Sequence, residues 1–133
     1  MKIAILDPAS GIAGDMFLGA LVDVGLDRAW LERLPSALGL SGVEVRIADV
    51  QRSGVRCVKV DFDIPSQPHG RAVSEIHRLI DTLKIPEKVA RSAHAAFEAI
   101  AAIESAIHGV APDELHLHEV GAVDAILDII GSI

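Results

Sequence analysis

Two runs of alternating residues meet at Ser53-Gly54, and no other feature of the 133-residue chain restricts its fold as strongly. Val43, Val45 and Ile47 alternate with Glu44, Arg46 and Ala48; past the turn, Val58, Val60, Phe62 and Ile64 alternate with Lys59, Asp61 and Asp63. Successive side chains of a strand point to opposite faces, so each run buries one face and wets the other. The pair reads as an antiparallel hairpin, with Arg52 a solvated charge near its tip. Cys57 is the only cysteine and lies within the second strand. It is expected to be a packed, inert thiol, and the chain has neither a disulfide framework nor a thiolate metal site.

Upstream, residues 2–6 read as a short buried strand. It runs into Asp7-Pro8-Ala9-Ser10-Gly11-Ile12-Ala13-Gly14-Asp15-Met16. A proline and two glycines ahead of an apolar run mark a strand–loop–helix junction. Asp7 then stands at the carboxyl end of the strand, and Asp15 is placed to cap the helix. Backbone N–H groups at such a helix start favour an anion. The stretch lacks the lysine of a phosphate loop and is no G-x-G-x-x-G fingerprint, so a capped turn explains it equally well. Residues 16–24 are almost wholly apolar, which predicts a buried helix stopped by Gly25. Asp27 caps a second helix through Trp30, Leu31, Leu34 and Leu38, which Pro35 kinks or splits. Beyond the hairpin, residues 71–83 form an amphipathic helix with Val73, Ile76, Ile80 and Leu83 inward and His77 at its boundary. Pro86 opens a long helix to His108 whose apolar stripe is Val89, Phe97, Ile100, Ile103 and Ile107.

Titratable residues gather towards the end of the chain. Glu104 and His108, four apart, face the same way on the last turns of the long helix; such a pair is most often a surface pairing. Gly109 ends that helix, and a short loop keeps His108 near His116. Leu115 and Leu117 alternate with His116 and His118, which sets two imidazoles on one strand face. After Gly121 the period becomes helical, with Val123, Ile126, Leu127 and Ile130 on the apolar side and Asp124 and Asp128 four apart on another. Glu104, His108, His116, His118 and Glu119, with Asp124 and Asp128 behind them, offer nitrogen and oxygen donors without a thiolate. Such a set suits Ni, Zn, Co, Mn or Fe(II); the carboxylates serve equally well to orient ligating imidazoles. The competing reading is a buried strand with satisfied histidines and a helix with solvated aspartates. No G-x-S-x-G, H-E-x-x-H or Cys–His pattern supports a protease or esterase.

The totals narrow the function further. The formal net charge is −7, aromatic residues make up 3% and half the residues are apolar. A folded globule follows, and the composition argues against nucleic acid as a partner, which needs basic stripes and stacking rings. No uncharged run approaches the ~18 residues of a membrane span, and Asp7 interrupts the N-terminal apolar run too early for a signal peptide. These features predict a cytoplasmic, soluble protein without a membrane partner. The expected fold is α/β: a small mixed sheet of about four strands, including the hairpin, covered by helices. The abrupt end at Ile133 suggests that the chain is one domain of a longer protein.

Three stretches together resemble the LarC family of nickel insertases: residues 7–16, Glu104-Ser105-Ala106-Ile107-His108-Gly109, and His116-Leu117-His118-Glu119-Val120-Gly121-Ala122-Val123-Asp124. The resemblance covers residues 1–133 and corresponds to the N-terminal portion of a family member. It implies that a complete protein inserts nickel into pyridinium-3,5-bisthiocarboxylic acid mononucleotide, making the carbon–nickel and sulfur–nickel bonds of the nickel-pincer nucleotide. CTP is consumed in that reaction, and the C-terminal domain binding CTP with Mg(II) or Mn(II) is absent here. The implied catalytic residues are Asp7, Asp15, Glu104, Glu119 and Asp124. Gly11, Gly14 and Asp15 would hold the precursor, whose phosphate the loop at residues 11–15 could receive. His108, His116, His118 and Glu119 would hold Ni(II). The partners are then the precursor, the missing domain and, as an open option, further copies of the chain. Many family members carry a histidine-rich tract after the hairpin; here residues 66–70 contain only His69, which argues against nickel storage in that loop. The alternative is a non-catalytic nickel-binding or assembly module, and a third reading is a small metal-dependent hydrolase.

Overall fold

The computed structural model of the chain describes residues 3–9, 11–65, 70–118 and 121–133. Ser10, residues 66–69, Glu119 and Val120 therefore lie outside the described residues, and with them the loop that holds His69.

The hairpin forms as its alternation dictates. β1 (Glu44–Arg52) and β2 (Val55–Asp63) pair antiparallel from Glu44↔Asp63 to Arg52↔Val55. Ser53 and Gly54 have φ of 49° and 81°, the left-handed pair that a two-residue type I′ turn needs to match strand twist. Val58 and Val60 are buried, Val45, Ile47 and Phe62 pack beside them, and Cys57 is half-buried.

Two helices precede the hairpin and pack on it. α1 (Gly14–Asp23) lies on β2. Gly19 makes this possible, because a Cβ there would sit 2.3 Å from the carbonyl oxygen of Val58. The helix buries one face, Leu18 and Val22, rather than its whole girth; Met16 is exposed, as is Val24 just past its end. α2 (Arg28–Ala37) starts at Asp27, whose carboxylate accepts the Ala29 N–H at 3.0 Å, as expected. Pro35 neither kinks nor splits it into two elements. It stands in the last turn, where only one helical hydrogen bond is lost, and it is itself buried.

The second half is a helical pair clasped by a small ladder. Arg71 and Ala72 do not open the helix but form β3 (Arg71–Ala72), antiparallel to β4 (His116–Leu117) with Arg71 opposite Leu117 and Ala72 opposite His116. Between them run α3 (Val73–Thr82), α4 (Glu87–His108) and a 3-10 turn at Pro112–Glu114. Gly109 stops α4 with φ of 67°, as its position predicts. α5 (Val123–Ser132) closes the described chain and buries Val123, Ile126, Leu127 and Ile130.

The class is α/β with helices over a hairpin, as expected, but among the described residues the four strands form two antiparallel pairs rather than one mixed sheet. The predicted strand at residues 2–6 is absent among the described residues. Ile3, Ile5 and Leu6 are 74%, 90% and 57% exposed. Strands β1 and β2 pair with each other and β3 with β4, and apolar composition alone does not make a ladder. The α4 stripe also differs. Ala93, Phe97 and Ala101 are buried, whereas Ile103 and Ile107 are exposed. The two isoleucines fall about 80–120° round the helix from Phe97, too far to share its seat. Among the described residues, no helix is long and apolar enough to cross a membrane.

Candidate functional site

Helices α1 and α5 meet where Gly14 touches Asp128. A Cβ at residue 14 would lie 2.3 Å from the Asp128 Cβ and 2.6 Å from Oδ2, so only glycine admits this approach. The approach brings the Asp128 carboxylate to the backbone N–H of Asp15, which donates to it. The cap expected from Asp15 is thus supplied by another helix: α1 begins after Ala13 with no side-chain cap of its own, and the Asp15 carboxylate accepts the Met16 N–H at 2.8 Å. The preceding loop turns at Gly11, whose N–H reaches the Pro8 carbonyl at 2.8 Å with φ of 82°, and Asp7 is exposed.

Asp15, Asp61, Asp124 and Asp128 line one cavity of about 320 Å³ together with Val60, Phe62 and Ile64. Burial pushes the Asp128 carboxyl up to about 6; the negative charges of Asp15 and then Asp124 add to this, and the Asp15 N–H opposes it. Its Oδ1 is buried and has no hydrogen-bond partner among the described residues. The helix start that favours anions in isolation therefore already holds a carboxylate and stands in a negative field. Such a cavity suits a cation or a mobile proton.

The shift fixes a pH dependence. The Asp128 carboxyl binds its proton more tightly in the fold, at about 6, than at its ordinary value of 3.8. Its stabilising contribution is full below the lower value and is lost as pH rises to the upper one. Asp128→Asn keeps an acceptor for the Asp15 N–H but has no charge. The variant is expected to be more stable than the parent by roughly 1 kcal/mol at pH 7, discounted for the partial solvent exposure of the carboxylate, and to gain nothing at pH 4. Urea unfolding at both pH values measures this; an equal difference at the two would refute the burial effect.

The histidine strand lies on the clasp. Leu115 and Leu117 are buried while His116 and His118 are exposed, the alternation its sequence predicts. Gly70, with φ of +81°, lets the chain pass close by: a Cβ there would sit 3.3 Å from the His118 Nδ1. Arg71 is nearly buried; its Nη1 donates to the Gly121 carbonyl at 3.0 Å and its Nε faces Glu75 at 3.2 Å, which ties β3 to the start of α5. Glu104 and His108 pair with each other at 3.2 Å on the surface end of α4. Among the described residues, no three His, Cys, Asp or Glu side chains gather to hold one metal ion, so His108, His116 and His118 do not converge. Glu119 is outside the described residues. Asp15 and Asp124 are brought together, joined by Asp128 and Asp61. Asp61 carried no local signal, because only the fold brings β2 to α5. The four-residue spacing of Asp124 and Asp128 put those two on one helical face in the sequence, but did not place them beside Asp15 or Asp61.

The chain matches the family described as nickel insertion protein over residues 4–133. It is 42% identical over 142 residues to the pyridinium-3,5-bisthiocarboxylic acid mononucleotide nickel insertion protein of Thermotoga petrophila, which covers 99% of this chain and 35% of the relative. The protein of the same name from Staphylococcus epidermidis is 38% identical over 130 residues, covering 98% of this chain and 33% of the relative. The chain thus spans about a third of the length of these curated relatives. No solved structure matches it. The matched span takes in the Gly14–Asp128 contact, the clasp and the histidine strand alike, and the chain belongs to the nickel insertion protein family.

Proposed function

We propose that this chain is the N-terminal, nickel- and precursor-handling portion of a CTP-dependent nickel insertase, a lyase-type cyclometallase acting on pyridinium-3,5-bisthiocarboxylic acid mononucleotide. The observation that carries this reading, beside family membership, is the carboxylate cavity between α1 and α5. Forming a carbon–nickel bond at a ring carbon releases the proton that carbon held, so the reaction needs an acceptor. Asp128, with its carboxyl pushed up to about 6, titrates close to neutrality and can take that proton, with Asp15 and Asp124 keeping the surroundings negative. The same field favours the positively charged pyridinium ring. Gly11, with open space on its Cβ side, allows the chain to approach the precursor closely, Gly14 admits Asp128 to the start of α1, and Asp7 lies on the same loop.

Nickel itself is the cargo. His116 and His118, exposed side by side on the clasp, receive it with Glu119, and Glu104 with His108 stands at the neighbouring helix end as a further station. CTP with Mg(II) or Mn(II) binds in the remainder of the full-length protein.

Nickel titration calorimetry on the His116→Ala, His118→Ala double variant tests the delivery step. The variant is expected to lose one equivalent of bound Ni(II) while its circular dichroism is unchanged. Retention of every equivalent would remove the two imidazoles from the site. Insertion assayed with the remainder of the protein supplied separately distinguishes an insertase portion from a passive nickel carrier.

A further inference from the structure

The run at residues 3–6 is apolar enough for a strand, yet among the described residues it joins neither ladder, and Ile3, Ile5 and Leu6 stand largely in water. Apolar side chains beside backbone N–H and C=O groups outside any ladder are what a sheet edge offers to an incoming strand. Leu6 also lies on the wall of an apolar groove of about 500 Å³. Ile12 of the first loop, Phe17 of α1, Ile100 of α4, and Ile129 and Ser132 of α5 line it as well. The Ser132 hydroxyl is buried and has no hydrogen-bond partner among the described residues. A buried hydroxyl left unpaired costs free energy until something bonds it. Ile103 and Ile107 share the Ile100 face of α4, within about 60° round the helix, and both are exposed. The groove and its two flanks form one apolar face, wider than a scatter of single surface side chains.

We infer that this face is the seat of the polypeptide that follows α5 in the full-length protein, and that residues 3–6 become a strand by pairing with a strand of that segment. The inference rests on the reading of this chain as the N-terminal portion of a longer insertase. About two-thirds of the length of the curated relatives lies outside the span they share with this chain, enough for a domain of its own. Continuing past Ile133, that polypeptide leaves α5 beside Ser132, on the groove wall. Attachment there keeps its first residues next to the groove at an effective concentration that no separate partner matches. The chemistry of the face sets what the segment must offer. A strand with alternate apolar side chains fills the groove with one face, and its backbone pairs with residues 3–6. A polar group on the same segment bonds the Ser132 hydroxyl. Asp128 lines both the groove and the carboxylate cavity, so the docked segment walls that carboxylate off from water on the groove side.

Hydrogen–deuterium exchange, read by mass spectrometry, compares the 133-residue chain with the full-length protein that contains it. Peptides covering residues 3–6 and 100–107 are expected to exchange at least about tenfold more slowly in the full-length protein. Ile5→Asp combined with Ile103→Asp should return both regions to the rates of the 133-residue chain. In that chain alone the same pair should leave the melting temperature unchanged, because both side chains already face water. Equal exchange at both regions in the two unsubstituted proteins would overturn the assignment. Sedimentation of the 133-residue chain is expected to show a monomer. A dimer in which the same two regions are already slowed would give the face to a second copy and overturn it too. Nickel insertion by the same full-length preparation is a separate readout. Slowed exchange without insertion supports the interface and refutes the proposed reaction; insertion without slowed exchange does the reverse.

Discussion

Replacing Gly121 by alanine is expected to destabilise the chain by about 3 kcal/mol, the upper end of ordinary overpacking. A Cβ there would lie 2.0 Å from the Leu117 carbonyl oxygen and 2.9 Å from the Arg71 nitrogen. Both neighbours are backbone and both belong to the β3–β4 ladder, so no side-chain rotation relieves the clash. The ladder must move, and the hydrogen bond from Arg71 Nη1 to the Gly121 carbonyl moves with it. The melting temperature should fall by about 10 °C, and the nickel binding proposed for His116 and His118 should weaken, because their strand is one half of the ladder. An unaltered urea midpoint would show that the chain does not pass this close at Gly121.

Phe97→Ala should cost more, about 3–5 kcal/mol, a large share of the roughly 5–15 kcal/mol that holds a typical domain together. Phe97 is fully buried, and its neighbours one turn away, Ala93 and Ala101, are too small to fill the space it would leave. Phe97→Leu retains most of the volume and should cost about 1–1.5 kcal/mol. The control is Ile107→Ala, 71% exposed on the same helix, for which a change within about 0.5 kcal/mol is expected. Chemical denaturation of the three variants settles which face of α4 is seated; a cost at Ile107 comparable to that at Phe97 would reverse the assignment.

That comparison shows where local pattern suffices and where it fails. The hairpin was legible because period-two burial and the Ser53–Gly54 turn are properties of neighbouring residues, as is the Asp27 cap on α2. The seat of α4 was not, because Ile103 and Ile107 are as apolar as Phe97 and only the partner helices decide which face is covered. Residues 2–6 look like a strand, yet a strand also needs an edge, which no local pattern supplies. The site divides in the same way. The exposed imidazoles of His116 and His118 and the shared face of Asp124 and Asp128 follow from periodicity. The arrival of Asp128 at the start of α1 spans 114 positions of sequence from Gly14 and depends on a missing Cβ.

The clasp has a mechanical consequence. The principal packing divides the chain into α1, α2, the hairpin and α5 on one side, and β3, α3, α4, the 3-10 turn and β4 on the other, with α4 against α5 the main helical contact between them. The ladder that closes the second unit has only two residue pairs. His116 and His118 ride on that unit, whereas Asp15, Asp61, Asp124 and Asp128 ride on the first. Local opening is cheapest where few contacts must break at once. The strand that carries His116 is therefore held by fewer backbone hydrogen bonds than α5, which carries Asp124 and Asp128, and it is the first part of the fold expected to open.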